Sequence, residues 1–137
     1  MRSRRGGRHT SAASLLLAVV LALGAYCIVE ARCRRYVVSG RSMEPTLQEG
    51  DWVLVDSAAY RGCRPRIGDL VAARDPRESA RIVFKRVARR NPRGVWLLGD
   101  NPGESTDSRT FGWVADGAVV GKMWLRYWPL GEFAILY

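Results

Sequence analysis

The segment Ser39-Gly-Arg-Ser-Met-Glu-Pro-Thr-Leu47 separates an apolar run from a series of short β-strand patterns. Gly40 allows backbone angles that a side chain would oppose, and Pro45 fixes φ and lacks an amide donor. These residues predict a shaped loop that holds Ser42 at a bend. Because Ser, Gly and Pro are common in ordinary turns, Ser42 on its own is better explained as a turn residue. The rest of the chain changes that interpretation.

Upstream of this loop, the sequence from Ala12 to Val29 is almost entirely apolar. A helix of about 20 such residues spans the hydrocarbon core of a bilayer. We therefore predict a basic tail at 1–11, a transmembrane anchor at 12–31 and one small domain at 32–137. The alternative is a cleaved signal peptide, since Val29-Glu-Ala31 offers a small-residue cleavage site, but the length of the apolar run favours the anchor.

Downstream of the loop, short runs rich in Val, Ile, Leu and aromatic residues alternate with Gly, Pro, Asp and Asn. This pattern is typical of β-strands, and no long segment after Arg35 has a helical period. The fold class is therefore all-β, a small, partly closed antiparallel β-barrel or sandwich. We expect hairpin connections at Arg61 to Arg66 and Asn91 to Gly94. The predicted strands are Tyr36 to Ser39, Trp52 to Asp56, Asp69 to Ala73, Ile82 to Ala88, Val95 to Leu98 and Val119 to Trp128.

The formal net charge is +9, and much of the excess lies beside the apolar run. This placement favours anionic lipid headgroups over nucleic acid as a partner. The three cysteines, Cys27, Cys33 and Cys63, form no C-x-x-C pair, so neither a zinc site nor a full disulfide framework follows, and a single disulfide stays open. We expect no metal or other cofactor. The flanking arginines are Arg2, Arg4, Arg5, Arg8, Arg32, Arg34 and Arg35.

Few residues could act as the base that activates a serine nucleophile, because the only histidine is His9, in the basic tail. Ser-Lys pairs are a known solution, and the chain has only two lysines, Lys85 and Lys122. Lys85 shares a strand face with Val83 and Val87, and burial there would lower its pKa and allow it to act as a base. The alternative is an edge lysine whose stem covers apolar surface while its amine reaches water.

Three segments, in this order, resemble the signature boxes of the type I signal peptidases, which include bacterial leader peptidases and mitochondrial inner membrane protease subunits. The resemblance covers residues 37–131. It implies a β-rich catalytic core and a membrane-bound serine endopeptidase that removes signal peptides from exported precursors. The segments are Ser42-Met-Glu-Pro-Thr-Leu47, Phe84-Lys85-Arg86-Val87, and Gly99-Asp-Asn101 followed by Ser105-Thr-Asp-Ser-Arg109.

The resemblance also implies roles for single residues. Ser42 is the expected nucleophile and Lys85 its general base, whereas Lys122 matches no catalytic box. Ser105 falls where the family has a serine that hydrogen-bonds and orients the lysine. Asp107 and Arg109 fall where a charged pair supports the site.

Two further expectations concern the loop around the nucleophile. Met43 and Pro45 are expected to shape the part of the loop that meets the substrate. Gly40 stands where leader peptidases often place a serine that stabilises the oxyanion. The Ser42 amide is one candidate donor, and the second donor stays open.

The arginines on the two sides of the apolar run are nearly balanced, so the positive-inside rule gives only a slight bias to a cytoplasmic amino terminus. The resemblance decides the orientation and places the catalytic domain on the outer face of the membrane. Implied partners are precursors with signal peptides, anionic lipid and a second protease subunit. Residues Arg32 to Val38 span at most about 25 Å, and the ending Trp124 to Tyr137 is rich in aromatics, so we predict a site close to the bilayer surface.

Two alternatives remain. The first is a protease dedicated to one substrate, such as the precursor of nickel superoxide dismutase, because the compact length and the Trp128-Pro-Leu-Gly-Glu-Phe133 ending resemble small actinobacterial and mitochondrial relatives. The second is a non-enzymatic β-module tethered to the membrane. That alternative requires Ser42 and Lys85 to lie far apart.

Overall fold

The computed structural model describes residues 11–136. Almost all of the predicted basic tail, including His9, and the final Tyr137 therefore lie outside the described residues. The chain forms two compact units that divide between Ala31 and Arg32. Each is described here by itself.

The helix α1, Ala12–Arg32, has 21 residues and no buried side chain, and all of it except Arg32 belongs to the first unit. The helix has no acidic residue before Glu30, and exposed Leu and Val side chains form most of its surface. A helix with this length and composition is able to cross a membrane.

The second unit is built from β-strands joined by loops and short helical turns. The only α-helix described in it is α2, Ser108–Phe111, and single 3₁₀ turns occur at Pro102–Glu104, Asp116–Ala118 and Leu130–Glu132. The strands are β1 Cys33–Val37, β2 Trp52–Asp56, β3 Leu70–Asp75, β4 Glu78–Asn91, β5 Gly94–Leu98, β6 Val119–Trp128 and β7 Ala134–Ile135.

All strand pairs are antiparallel and belong to one seven-stranded sheet. The order is β1-β2-β6-β3-β4-β5, and β7 pairs with β6 beside this path. The sheet does not close into a barrel, so the core resembles a sandwich. The predicted class, an antiparallel all-β core preceded by one apolar helix, is confirmed.

The strand boundaries agree with the sequence patterns to different degrees. The predicted strands Trp52 to Asp56 and Val119 to Trp128 coincide with β2 and β6. The prediction Ile82 to Ala88 is too short, because β4 extends in both directions through polar residues that pair with β3 and β5. The predicted hairpin at Arg61 to Arg66 is wrong: β6 lies between β2 and β3, so this connection passes to a non-neighbouring strand.

Two clusters of buried side chains form the core on opposite faces of β4. Phe84 belongs to the first cluster, with Met43, Leu47, Val53 and others. Val83 and Val87 belong to the second. Side chains alternate between faces along a strand, so Lys85 lies on the side of Val83 and Val87, as predicted.

The three cysteines are all unpaired, and Cys27 and Cys63 are exposed. The disulfide left open by the sequence is therefore not formed. In the aromatic ending, Trp124 and Tyr127 are half-buried, whereas Trp128 and Phe133 are exposed. The ending thus combines core-packed and exposed aromatic residues.

Candidate active site

The loop that carries Ser42 is closed at its base by backbone hydrogen bonds. Val38 N–H donates to Asp51 O over 2.8 Å, and Gly50 N–H donates to Val38 O over 2.9 Å. Met43 and Leu47 are buried in the first core cluster. Gly40 has φ +84°, a conformation that side chains rarely adopt, so the predicted bend does require glycine there. Closure and buried anchors give Ser42 a defined position.

The structure brings Ser42 and Lys85 together. Lys85 Nζ lies 2.8 Å from Ser42 Oγ and donates a hydrogen bond to it. The two residues are 43 positions apart in sequence, and β4 carries the lysine to the loop. The non-enzymatic alternative required them to be far apart, and this distance argues against it.

Lys85 is 3% exposed, and no described carboxylate lies within ion-pair distance of its amine. Burial lowers the pKa of Lys85 from 10.5 to about 8. Asp107 opposes this shift, Arg81 adds to it and Asp75 opposes it, all through longer-range charge. A large share of the amine is therefore neutral near pH 8 and able to accept a proton.

The Gly99-Asp100-Asn101 segment, which follows β5, binds the loop that carries Ser42. Asn101 N–H donates to Ser42 O over 3.0 Å, and Asn101 Nδ2 donates to Arg41 O over 3.1 Å. A Cβ atom on Gly99 would come within 2.5 Å of Ser42 O. Glycine is required at this position because two backbone segments meet there. Sequence reasoning assigned no role to Asn101 or Gly99, although both lie in a recognised box.

Asp107 is fully buried and accepts hydrogen bonds from three directions. Its carboxylate receives Gly99 N–H over 3.0 Å, the Ser105 hydroxyl over 2.7 Å and the Arg109 guanidinium over 2.7 Å. Burial would raise the pKa of Asp107, but the bonds from Arg109, Gly99 and Ser105 outweigh it and hold the pKa well below its usual range. The expected Asp107–Arg109 pair is therefore formed.

The Ser105 hydroxyl donates to Asp107 Oδ2, and no hydrogen bond joins it to Lys85 among the described residues. A carboxylate is a strong acceptor, because a charge-assisted hydrogen bond exceeds a neutral one. In this structure the bond of Ser105 supports Asp107, which also accepts the Gly99 N–H, and its expected role toward the lysine stays a prediction.

A second charged pair, Arg86 with Asp100, escaped the sequence analysis. The guanidinium donates to both carboxylate oxygens, over 2.9 and 2.7 Å, and Thr46 Oγ1 donates to the same carboxylate over 2.6 Å. The pair thus ties β4 to the Ser42 loop and to the segment after β5. The sequence did contain a signal for this contact, because Thr46, Arg86 and Asp100 each lie in a different one of the three boxes.

A cleft of about 260 Å³ opens beside Ser42 and Lys85. One wall contains Val38, Ser39 and Met43, and the other is β4 from Arg81 to Lys85. Met43 is thus both a core residue and part of the wall, whereas Pro45 is exposed outside the lining.

One edge of this part of β4 is free. Glu78 and residues 82–85 pair with β3 only, and residues 79–81 lie at a register shift between them, because β5 pairs with β4 from Arg86 onward. The free edge offers backbone groups to an extended peptide. Among the described residues, no acceptor takes the Ser42 amide hydrogen, so this donor is available to a ligand.

No group of His, Cys, Asp and Glu side chains in residues 11–136 is arranged to hold a metal ion. The site consists of a hydroxyl, an amine with a lowered pKa and backbone N–H groups. Such an arrangement can carry out nucleophilic acyl transfer, because the amine is placed to remove the hydroxyl proton.

Comparison with known proteins identifies the family of this chain. The family model described as "Signal peptidase, peptidase S26" matches residues 10–89 and 91–128. Human mitochondrial inner membrane protease subunit 1 is 32% identical over 132 residues, covering 82% of this chain and 80% of that protein. An Arabidopsis thaliana relative, mitochondrial ATP-independent inner membrane protease subunit 1a, is 35% identical over 130 residues, covering 74% and 77%.

A bacterial relative, signal peptidase I of Bacillus caldolyticus, is 27% identical over 151 residues, covering 74% of this chain and 83% of that protein. The family match spans most of the chain and includes all the residues of the three boxes. This chain therefore belongs to the signal peptidase family, peptidase S26.

Proposed function

We propose that this peptidase is a membrane-bound serine endopeptidase that removes signal peptides from exported precursors, with Ser42 as nucleophile and Lys85 as general base. The observation that carries the proposal is the 2.8 Å contact between Lys85 Nζ and Ser42 Oγ, with the lysine buried and without a carboxylate partner. An amine in this environment is a better base than a hydrated lysine.

In the proposed mechanism, neutral Lys85 takes the proton from Ser42 Oγ as the oxygen attacks the scissile carbonyl. The resulting oxyanion accepts a hydrogen bond from the Ser42 amide. The Lys85 ammonium then protonates the departing amine, which leaves an acyl-enzyme on Ser42. Lys85 next removes a proton from water, the water attacks the ester, and the acyl group leaves as Ser42 regains its proton.

The free edge of β4 supports an endopeptidase assignment. An extended peptide is able to add to this edge by backbone hydrogen bonds, which places its scissile carbonyl beside Ser42. The cleft is small, about 260 Å³, and the family resemblance implies small side chains at the first and third positions before the cut.

We further propose that residues 32–137 are the protease domain, that 12–31 anchor it, and that the domain lies on the outer face of the membrane. The proposed partners are precursor proteins, anionic lipid and a second protease subunit. Two relatives are themselves named as subunits, which supports the last proposal.

An exposed apolar row on the sheet supports contact with lipid. Val37, Trp52 and Trp128 are register partners across β1, β2 and β6 and are 51%, 44% and 50% exposed. Directly opposite residues share a face of the sheet. Five residues, Cys33–Val37, connect α1 to this row, and five extended residues span at most about 17 Å. Aromatic residues favour the membrane interface.

The experiment that tests the function is cleavage of a panel of secretory precursors by the full-length chain in liposomes, followed by amino-terminal sequencing. We expect one cut in each precursor, after a small residue, and none with Ser42→Ala. Cleavage of a single member of the panel would favour the dedicated protease instead.

The lipid contact has its own test. A chain lacking residues 1–31 is expected to cleave a membrane-embedded precursor far more slowly than the full chain, and removal of residues 133–137 should slow it further. Equal rates would contradict the contact and leave the Ser42 and Lys85 chemistry untouched.

A further inference from the structure

The cleft beside Ser42 has one feature that the proposed chemistry does not use. Its lining includes no carboxylate, and apart from Lys85 the only charged side chain in it is Arg81. Arg81 is exposed and lies on β4 at the end of the lining away from Ser42. Its neighbours in the cleft are apolar or small, such as Val38, Ser39 and Ile82.

Arg81 also lacks a partner within the described part of the chain. No carboxylate of residues 11–136 lies within ion-pair distance of its guanidinium, whereas Arg77, Arg86 and Arg109 each have one. The charge of Arg81 helps to lower the pKa of the buried Asp75. The two carboxylate oxygens of Asp75, however, already accept hydrogen bonds from Arg77, over 3.0 and 2.7 Å. The charge of Arg81 is therefore available to a ligand.

The distance along β4 between Arg81 and Lys85 determines which residue of a bound peptide would lie beside Arg81. Arg81 is four residues before Lys85, and a strand rises about 3.3 Å per residue, so the two positions are about 13 Å apart. A peptide extended along the free edge, with its scissile carbonyl at Ser42, advances by the same rise. Its residue about four positions from the cut therefore reaches Arg81.

We propose that Arg81 determines specificity by favouring precursors with an acidic side chain about four residues before the cut. This inference rests on the proposed function and refines its substrate class. We assign the part before the cut to this cleft, because the cleft is small and the family resemblance implies small side chains before the cut. An Arg–carboxylate pair at a partly exposed site changes binding by about two- to fivefold, and a lysine in the same place is repelled.

The test uses the full-length chain in detergent and twelve-residue fluorogenic peptides with Ala at the first and third positions before the cut. Asp, Asn or Lys is placed in turn at positions two, four, five and six before the cut and at positions one to four after it. The enzymes are the natural chain, Arg81→Gln, Arg81→Glu and the control Arg93→Gln. Arg93 is exposed in the β4–β5 turn and is absent from the cleft lining.

We expect the natural chain and Arg93→Gln to cleave the Asp peptide about tenfold faster than the Lys peptide, in kcat/KM, with the maximum at positions four and five before the cut. The difference should lie mainly in KM. Arg81→Gln should abolish the preference while kcat is retained, and Arg81→Glu should reverse it. A misfolded variant would lose kcat and leave no reversal to observe.

The inference is overturned if the natural chain shows no charge preference in this window, if the preference lies after the cut, or if it survives in Arg81→Gln. In those cases cleavage that still depends on Ser42 would leave the proposed function standing. If Ser42→Ala cleaved the peptides as well as the natural chain, the proposed function would fail and this inference with it.

Discussion

The two lysines of the chain occupy one row of the sheet and have different surroundings. Val71 on β3 pairs with Lys85 of β4 on one side and with Lys122 of β6 on the other. Each amine has a partner 2.8 Å away: for Lys85 it is the Ser42 hydroxyl, and for Lys122 it is the carboxylate of Asp69. The same residue type, one strand apart, thus forms a candidate catalytic pair in one place and an ion pair in the other.

The difference shows that sheet position alone does not make a lysine reactive. Lys85 is buried among apolar side chains and its pKa is lowered to about 8. The side chain of Lys122 is 32% exposed, and its charge is balanced by Asp69, which also accepts bonds from Tyr60 and the Arg66 amide. A neighbouring carboxylate favours the charged amine, whereas burial without one favours the neutral amine.

The largest expected effect separates the two lysines by activity. Lys85→Ala and Ser42→Ala should each lower kcat/KM for precursor cleavage by about 10⁴-fold or more, because the pair acts as a unit. Lys122→Ala should retain most of the activity. Cleavage rates with purified full-length chains measure this, and comparable losses at both lysines would remove the distinction.

The pH dependence of cleavage should follow Lys85. Protonation removes the lone pair that accepts the serine proton, so activity falls as pH drops below about 8, by about tenfold per pH unit. The kcat/KM profile of the Lys122→Gln variant should have its acid limb at the same pH. A profile that stays flat from pH 8 to pH 6 would contradict a base with this pKa.

Asp107→Asn sharpens the electrostatic part of the comparison. The carboxylate raises the pKa of Lys85, so its removal should move the acid limb to lower pH. The change also leaves the donors of Gly99, Ser105 and Arg109 with a weaker acceptor, which should lower the free energy of unfolding by about 3 kcal/mol. The pH–rate profile and thermal unfolding of the full chain measure the two effects.

The pKa of Asp107 is lowered in the folded protein, so ionised Asp107 stabilises the fold. Its contribution is present above the ordinary value of 3.8 and disappears as pH falls toward the folded-state pKa. The natural chain should therefore lose more stability below pH 4 than Asp107→Asn does. Parallel losses in the two proteins would argue against the buried charge.

The smallest effect is expected at the ion-paired lysine. Lys122→Met should lower the free energy of unfolding by about 1–2 kcal/mol, because Asp69 keeps two other donors but loses its cation. The cleavage rate should be unchanged within about twofold. Thermal unfolding in detergent, compared with Arg93→Gln as a neutral surface change, measures the difference.

Features of the fold that depend on nearby residues could be predicted from the sequence, whereas features that depend on distant residues could not. The strands β2 and β6 were predicted to the residue because apolar alternation is a local signal. The path from β2 to β3 was not, since the placement of β6 between them depends on contacts between distant residues. Local patterns cannot specify such pairing.

The same reasoning applies to the site. Ser42 and Lys85 were selected from the sequence because the family boxes and the shortage of alternative bases pointed to them, and they remain predictions as catalytic residues. The hydrogen bond from Ser105 to Asp107 was not predicted, because the partner of a hydroxyl depends on sub-ångström placement, and the role of Ser105 toward Lys85 stays a prediction. The Arg86–Asp100 pair was not predicted either, because pairing between charges on separate segments depends on how the fold brings those segments together.

The most direct test of the central claim replaces the Lys85 amine chemically. Lys85→Cys is made in a chain whose cysteines at 27, 33 and 63 are changed to serine, so that bromoethylamine modifies only position 85. We predict that the unmodified variant is inactive and that aminoethylation restores precursor cleavage, with the acid limb moved to lower pH because the sulfur lowers the pKa of the new amine. Cleavage before modification, or no recovery after complete modification of a folded protein, would contradict the role of Lys85 as the base.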